Sequence, residues 1–171
     1  MKKVFFTLVL FLAAVATASA LTLEEDNYGW FKSSSYRGFV EAYGMMDLGD
    51  ESTFNASVLT SHGFQVSKNW FAGAGLGYVF NTDDSDSYLP IFIHTRFELP
   101  GLINSWITPF ADAKSGVTIA LDGCCDSGVF QSQTIGCRFA IGNGKCGISP
   151  GIGYTILPES SCVHLSVSFD F

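Results

Sequence analysis

Val163-His164-Leu165-Ser166-Val167-Ser168-Phe169-Asp170-Phe171 alternates apolar and polar residues without a break. A period of two belongs to an extended strand whose faces meet different environments, and a 3.6-residue helix cannot present it. The same alternation recurs upstream. Trp70, Ala72, Ala74, Leu76, Tyr78 and Phe80 stand against Phe71, Gly73, Gly75, Gly77 and Val79, and Cys146, Ile148, Pro150, Ile152, Tyr154 and Ile156 stand against Lys145, Gly147, Ser149, Gly151, Gly153 and Thr155. Clusters of Gly, Asn, Asp, Ser and Pro separate such segments. They predict eight strands, at 36–46, 53–66, 70–81, 87–99, 107–118, 129–141, 145–156 and 162–171, in an antiparallel up-and-down meander. The 136 residues of Tyr36–Phe171 allow 17 per strand and connection. A tilted strand needs about 9 to 11 residues to cross a bilayer, so the connections are short.

Upstream of the strands the chain has a different character. Lys2 and Lys3 precede an apolar run from Val4 to Ala16, which ends at Ala18-Ser19-Ala20. A charged start, a short apolar core and an A-x-A site predict a secretory signal peptide over 1–20. Residues 21–35 read as a polar leader, and 36–171 as one domain. After cleavage the chain keeps 9 − 2 = 7 basic and 16 acidic side chains, a formal charge of −9. That balance argues against nucleic acid as a partner, since phosphates require basic patches. The glycine run Gly73 to Gly77 is no dinucleotide fingerprint, because no helix follows it.

The connections alternate in chemistry. Asp47 to Ser52, Asn81 to Ser87, Leu121 to Ser127 and Leu157 to Ser161 hold nine of the sixteen acids, whereas Ser67-Lys68-Asn69, Pro100 to Trp106 and Gly142-Asn143-Gly144 are tight and nearly uncharged. In a meander every second connection lies at the same end, so one rim is expected to be acidic. The strand faces are also unequal, one apolar with aromatics near its ends and the other small, polar or charged. A soluble barrel would turn the apolar face inward and leave glycine facing water; a membrane barrel turns the apolar face to lipid and closes its lumen with small and polar residues.

Six further segments carry a family resemblance: Tyr36-Arg37-Gly38-Phe39-Val40-Glu41, Thr60 to Gln65, Phe71 to Tyr78, Pro90-Ile91-Phe92, Thr108 to Lys114 and Gly151 to Thr155. With the closing strand, they resemble the small outer-membrane β-barrels of OmpA/OmpX type, particularly the single-domain ones. The resemblance implies an all-β, eight-stranded transmembrane barrel in the outer membrane of a Gram-negative bacterium. It also implies that Leu165, Val167, Phe169 and Phe171 form a C-terminal signal for the barrel-assembly machinery. Outer-membrane lipid and lipopolysaccharide are the expected surroundings, the expected state is a monomer, and no reaction or cofactor is implied.

The alternation places Arg37, Glu41, His94, Arg96, Glu98, Asp112, Lys114, Arg138, His164 and Asp170 on the lumen side. Apart from the histidines, four cations meet four anions. Eight strands enclose only enough room for side chains, and charges away from water must be paired, so the expectation is a closed, salt-bridged lumen. A small gated channel through the same charges is the alternative reading. A lipid-modifying enzyme could recruit Ser61, His62, His94, His164 and Asp112, but no spacing brings a Ser, a His and an acid together at one rim. Asp83, Asp84 and Asp86 offer oxygens to a divalent cation without the Gly and distal Glu of a calcium loop; no metal or cofactor site is assigned. Cys162 has a candidate disulfide partner in Cys124 or Cys125, because all three fall at the same end, while Cys137 and Cys146 read as free, lipid-facing thiols. The leading expectation is a non-enzymatic membrane barrel with an envelope or surface-interaction role. A secreted soluble barrel that binds an apolar ligand is the other class.

Overall fold

A computed structural model describes residues 36–49, 54–81, 87–104, 106–121, 127–142, 144–158 and 160–171. The expected signal peptide and leader, Cys124, Cys125 and most of the acidic loops lie outside the described residues. Eight strands form one closed antiparallel barrel in sequence order. They are β1 (Tyr36–Asp47), β2 (Phe54–Gln65), β3 (Trp70–Asn81), β4 (Ser87–Glu98), β5 (Ile107–Ala120), β6 (Gly128–Ile141), β7 (Cys146–Ile156) and β8 (Ser161–Asp170). No end departs from the sequence reading by more than two residues. Among the described residues, glycines with positive φ fall in the β4–β5 connection at Gly101 and in the β6–β7 connection at Gly142 and Gly144.

β1 closes against β8 in a ladder running from Phe39↔Asp170 to Asp47↔Cys162. The stagger follows from the register. Arg37 pairs with Gly63, Gly63 with Gly73, Gly73 with His94, His94 with Lys114, Lys114 with Ser132, Ser132 with Thr155, and Thr155 with Cys162, which pairs with Asp47. One circuit therefore climbs from residue 37 to residue 47, a shear of 10. With eight strands this stagger corresponds to a tilt of about 40–45°.

Alternation sorts the side chains. The outward set includes Val40, Val58, Leu76, Ile91, Ile93, Val117, Ile135, Ile152, Leu165 and Val167, each 45–68% exposed. Aromatics ring this band at both ends: Tyr36, Phe64, Trp70, Phe139 and Phe171 on the side of the chain's end, and Phe54, Tyr78 and Phe80 on the other. No Asp, Glu, Lys or Arg of the eight strands points outward. An uncharged apolar belt of this kind is stable facing hydrocarbon and costly facing water.

The interior corrects one expectation. The lumen face is not merely small and polar: Phe39, Tyr43, Met45, Leu59, Phe71, Val79, Tyr88, Phe92, Phe110 and Phe130 all point inward and are buried. Glycine makes their room. At Gly75 a β-carbon would meet Thr60 O at 2.3 Å and the Phe92 ring at 2.6 Å, so the close approach of backbone and ring admits no side chain there.

Candidate functional site in the barrel lumen

All ten lumen residues named from the sequence lie on the inward side, and they fall into layers. At the end where β1 begins and β8 finishes, Arg138 grips Asp170 in a fork, Nε donating to Oδ1 at 2.9 Å and Nη2 to Oδ2 at 2.7 Å. Arg37 donates to Glu98 at 2.8 Å, to Asp170 at 3.1 Å and to Gln65 at 3.1 Å. Such paired, hydrogen-bonded geometry makes buried charge tolerable. Just above, the Arg96 guanidinium lies 3.6 Å from the Phe110 ring centre, its Nη2 donates to Ser149 at 2.9 Å, and its Nε stands 3.0 Å from Glu98. Phe39 covers the same guanidinium at 5.0 Å.

The central layer is built around Lys114. Its Nζ lies 3.0 Å from Glu41 Oε2 and 3.1 Å from Asp112 Oδ1, and Tyr43 donates to the same Glu41 oxygen at 3.0 Å. The strand spacing brings no Ser, His and acid together at a rim, but inside the barrel the register sets three such residues near one another. Ser61 Oγ sits 2.7 Å from His94 Nδ1, and His94 Nε2 faces Asp112 Oδ2 at 3.9 Å. They meet in mid-lumen rather than at a rim, because β2, β4 and β5 each contribute one residue at the same depth. His94 Nε2 makes no hydrogen bond among the described residues, and the distance to Asp112 exceeds hydrogen-bond range. His62, by contrast, faces outward, and His164 sits higher in the lumen. There His164 contacts Thr134 at 3.0 Å and Thr155 at 2.9 Å and stacks on Tyr43 with ring centres 4.4 Å apart.

Above His164 the lining becomes mainly apolar, with Asn55 and Thr118 the buried polar residues near the outer strand ends. Met45, Leu59, Val79, Tyr88, Phe92, Phe130, Leu157 and Cys162 form a buried apolar cluster across the lumen. The sequence carried a signal for this plug, since strict alternation from Arg37 and Glu41 puts Tyr43 and Met45 on the same face. Lys114, His94 and Ser61 are 0% exposed and Arg96 and Asp112 1%. A water-filled passage would give its lining accessible surface, so side chains fill the lumen at this depth.

The remaining residues named from the sequence are dispersed. Cys162 is a free, buried thiol with Sγ 3.8 Å from Asn55 Nδ2 and 3.6 Å from Ser160 Oγ; both of its suggested disulfide partners are outside the described residues. Cys137 and Cys146 are free and outward on β6 and β7. Among the described residues no group of three or more His, Cys, Asp or Glu is arranged to hold a metal ion. At the terminal end Phe171 continues the closing ladder, donating to Gly38 O at 3.1 Å and accepting from Gly38 N at 2.9 Å.

No protein-family model and no curated protein sequence matches the chain. Solved structures do. Neisserial surface protein A aligns with a TM-score of 0.67 at 13% identity, over 81% of this chain and 98% of that one. The outer-membrane enzyme PagL aligns at 0.49 and 15% identity over 78% and 98%, and the N-terminal β-barrel domain of Pseudomonas aeruginosa OprF at 0.45 and 14% over 81% and 100%. Strand count, closure, uncharged outer belt and the first of these likenesses agree, and the fold is that of the small eight-stranded outer-membrane β-barrels.

Proposed function

We propose that this chain is a closed, non-enzymatic integral barrel of a Gram-negative outer membrane, with a structural or surface-interaction role in the envelope. The observation that carries the reading is the filled lumen: an ion-paired lower half under an apolar plug, with the central lining at 0–3% exposure. Ion conduction would require both to open. The Ser61, His94 and Asp112 cluster has the residue types of a hydrolytic centre, but no substrate reaches a site from which water is excluded. Insertion by the barrel-assembly machinery and a surround of lipid and lipopolysaccharide belong to the same reading.

Reconstitution into planar bilayers tests it. The expected result is a baseline without unit steps across neutral pH, whereas reproducible single-channel steps would overturn the closed reading. Lipid A and phospholipid profiles of a deletion strain are expected to match those of the parent, and a missing modified lipid would overturn the non-enzymatic one. Release of the protein by carbonate extraction would overturn the membrane location itself.

A further inference from the structure

The outward face is uncharged, but it is not uniformly apolar. Where polar groups face out on β1 to β4, they are met within the chain. Thr60 Oγ1 lies 3.0 Å from His62 Nε2, Tyr36 OH reaches His62 Nδ1, Trp70 Nε1 donates to Thr95 at 2.9 Å, and Tyr78 OH donates to Ser87 at 2.6 Å. On β5 and β6 the pattern breaks. Gln131 and Gln133 are successive outward residues of β6, flanked across the ladder by Ser115 and Ala113 of β5. Among the described residues the side chains of Gln131, Gln133 and Ser115 make no hydrogen bond.

The depth of Gln133 makes this costly, while Gln131, one step higher, stands near the level of Tyr78 in the outer aromatic ring. Gln133 lies six residues along β6 from Phe139 of the inner aromatic ring, roughly 15 Å of depth at this tilt. It lies four residues, about 10 Å, below Val129 at the other end of the strand. Hydrocarbon offers a carboxamide no partner, and an unmet polar group there is strongly disfavoured. On the β5 side the flank is small, Ala111, Ala113 and Ser115, so another backbone can approach closely there, while Tyr154 and Ile156 stand beside the glutamines on β7.

We propose that Gln131, Gln133 and Ser115 form the interface through which a second copy of this barrel associates within the membrane, in place of the monomer expected from the sequence. A second copy is the occupant that fits, because a carboxamide donates and accepts equally. A two-fold axis through the patch sets amide against amide, as an isologous contact requires. Without an outward charge, the face offers nothing to select a charged partner. Small flanking residues with hydrogen-bonding side chains are also the means by which segments associate in lipid, where the hydrophobic effect supplies no drive.

The experiment uses the full mature chain folded in detergent micelles and in phosphatidylcholine vesicles. Sedimentation equilibrium in density-matched micelles is expected to show a reversible dimer. The double variant Gln131→Leu, Gln133→Leu is expected to weaken it at least about tenfold while keeping heat-modifiable migration. A second measurement holds if that variant fails to fold. In a background with the native cysteines changed to serine, Ala113→Cys beside the patch should form an intermolecular disulfide in vesicles. Ala42→Cys, outward on β1 at the far side of the barrel, should not. A monomer at every protein-to-detergent ratio, a dimer indifferent to the leucines, or equal cross-linking through Ala42→Cys would each overturn the proposal.

Discussion

Lys114 shows how buried charge is arranged in this lumen. It is 0% exposed and stands within 3.1 Å of both Glu41 and Asp112. Lys114→Met therefore leaves two carboxylates buried together without a counter-charge, and the expected cost is about 3–5 kcal/mol. A urea titration in vesicles, read from the folded fraction on unheated gels, checks it. Adding Glu41→Gln and Asp112→Asn to the same chain is expected to recover most of the loss, because the penalty lies in the stranded charges. Gly147 is a second sensitive position. A β-carbon there would come within 2.7 Å of Arg138 Nε and 2.8 Å of Asp170 Oδ1. Gly147→Ala is expected to split that fork and destabilise the barrel by about 1–3 kcal/mol in the same titration. The side on which Lys114 or Asp170 lies was legible, because parity alone decides it. That Ser61 meets His94, or that Arg96 lies on Phe110, was not. Those meetings depend on the shear, which no single strand encodes.

Strand positions were legible because each strand separates a lipid face from a lumen face, and a one-residue slip would invert the two. The ladders hold details that the alternation does not reveal. Pairing of β6 with β7 runs through Gly136↔Gly151 and resumes at Phe139↔Ile148, skipping two positions, that of Pro150 opposite Cys137 and that of Ser149 opposite Arg138. Proline has no N–H to give, and a closed barrel has no free edge on which to hide the gap. Pro150→Val is therefore expected to complete the ladder and raise stability by about 1 kcal/mol in a urea titration. The opposite sign is expected on the lipid side of β8. Leu165 is 67% exposed near mid-depth, and Leu165→Arg is expected to cost about 2–4 kcal/mol in a bilayer. The aromatic content of the lumen was underread because glycine and charge dominate the inward face in composition, while Phe39, Phe71 and Phe92 dominate it in volume.

At the scale of the whole molecule, the barrel exists only once β8 meets β1, and Phe171 takes part in that closure in two separable ways. Its backbone exchanges two hydrogen bonds with Gly38, extending the ladder one residue beyond Asp170. Its ring packs over Gly38 and stands edge-on to His62 with centres 6.3 Å apart. A terminal aromatic read by the assembly machinery and a terminal aromatic that closes the cylinder both make deletion of Phe171 harmful in cells, so deletion alone does not separate them. Phe171→Ala keeps the two backbone bonds and removes only the ring. If recognition is the main role, this variant is expected to refold into vesicles without any machinery at close to the parent's yield, yet to reach the membrane in cells at a fraction of the parent's level. Deletion of Phe171 removes the ladder bonds as well, and is expected to lower the yield in both settings. Folded fractions from unheated gels, taken from refolding reactions and from isolated membranes, provide the comparison. Equal losses for Phe171→Ala in both would place the ring's contribution in closure itself, with the strand pairing of β1 and β8 as the step it stabilises.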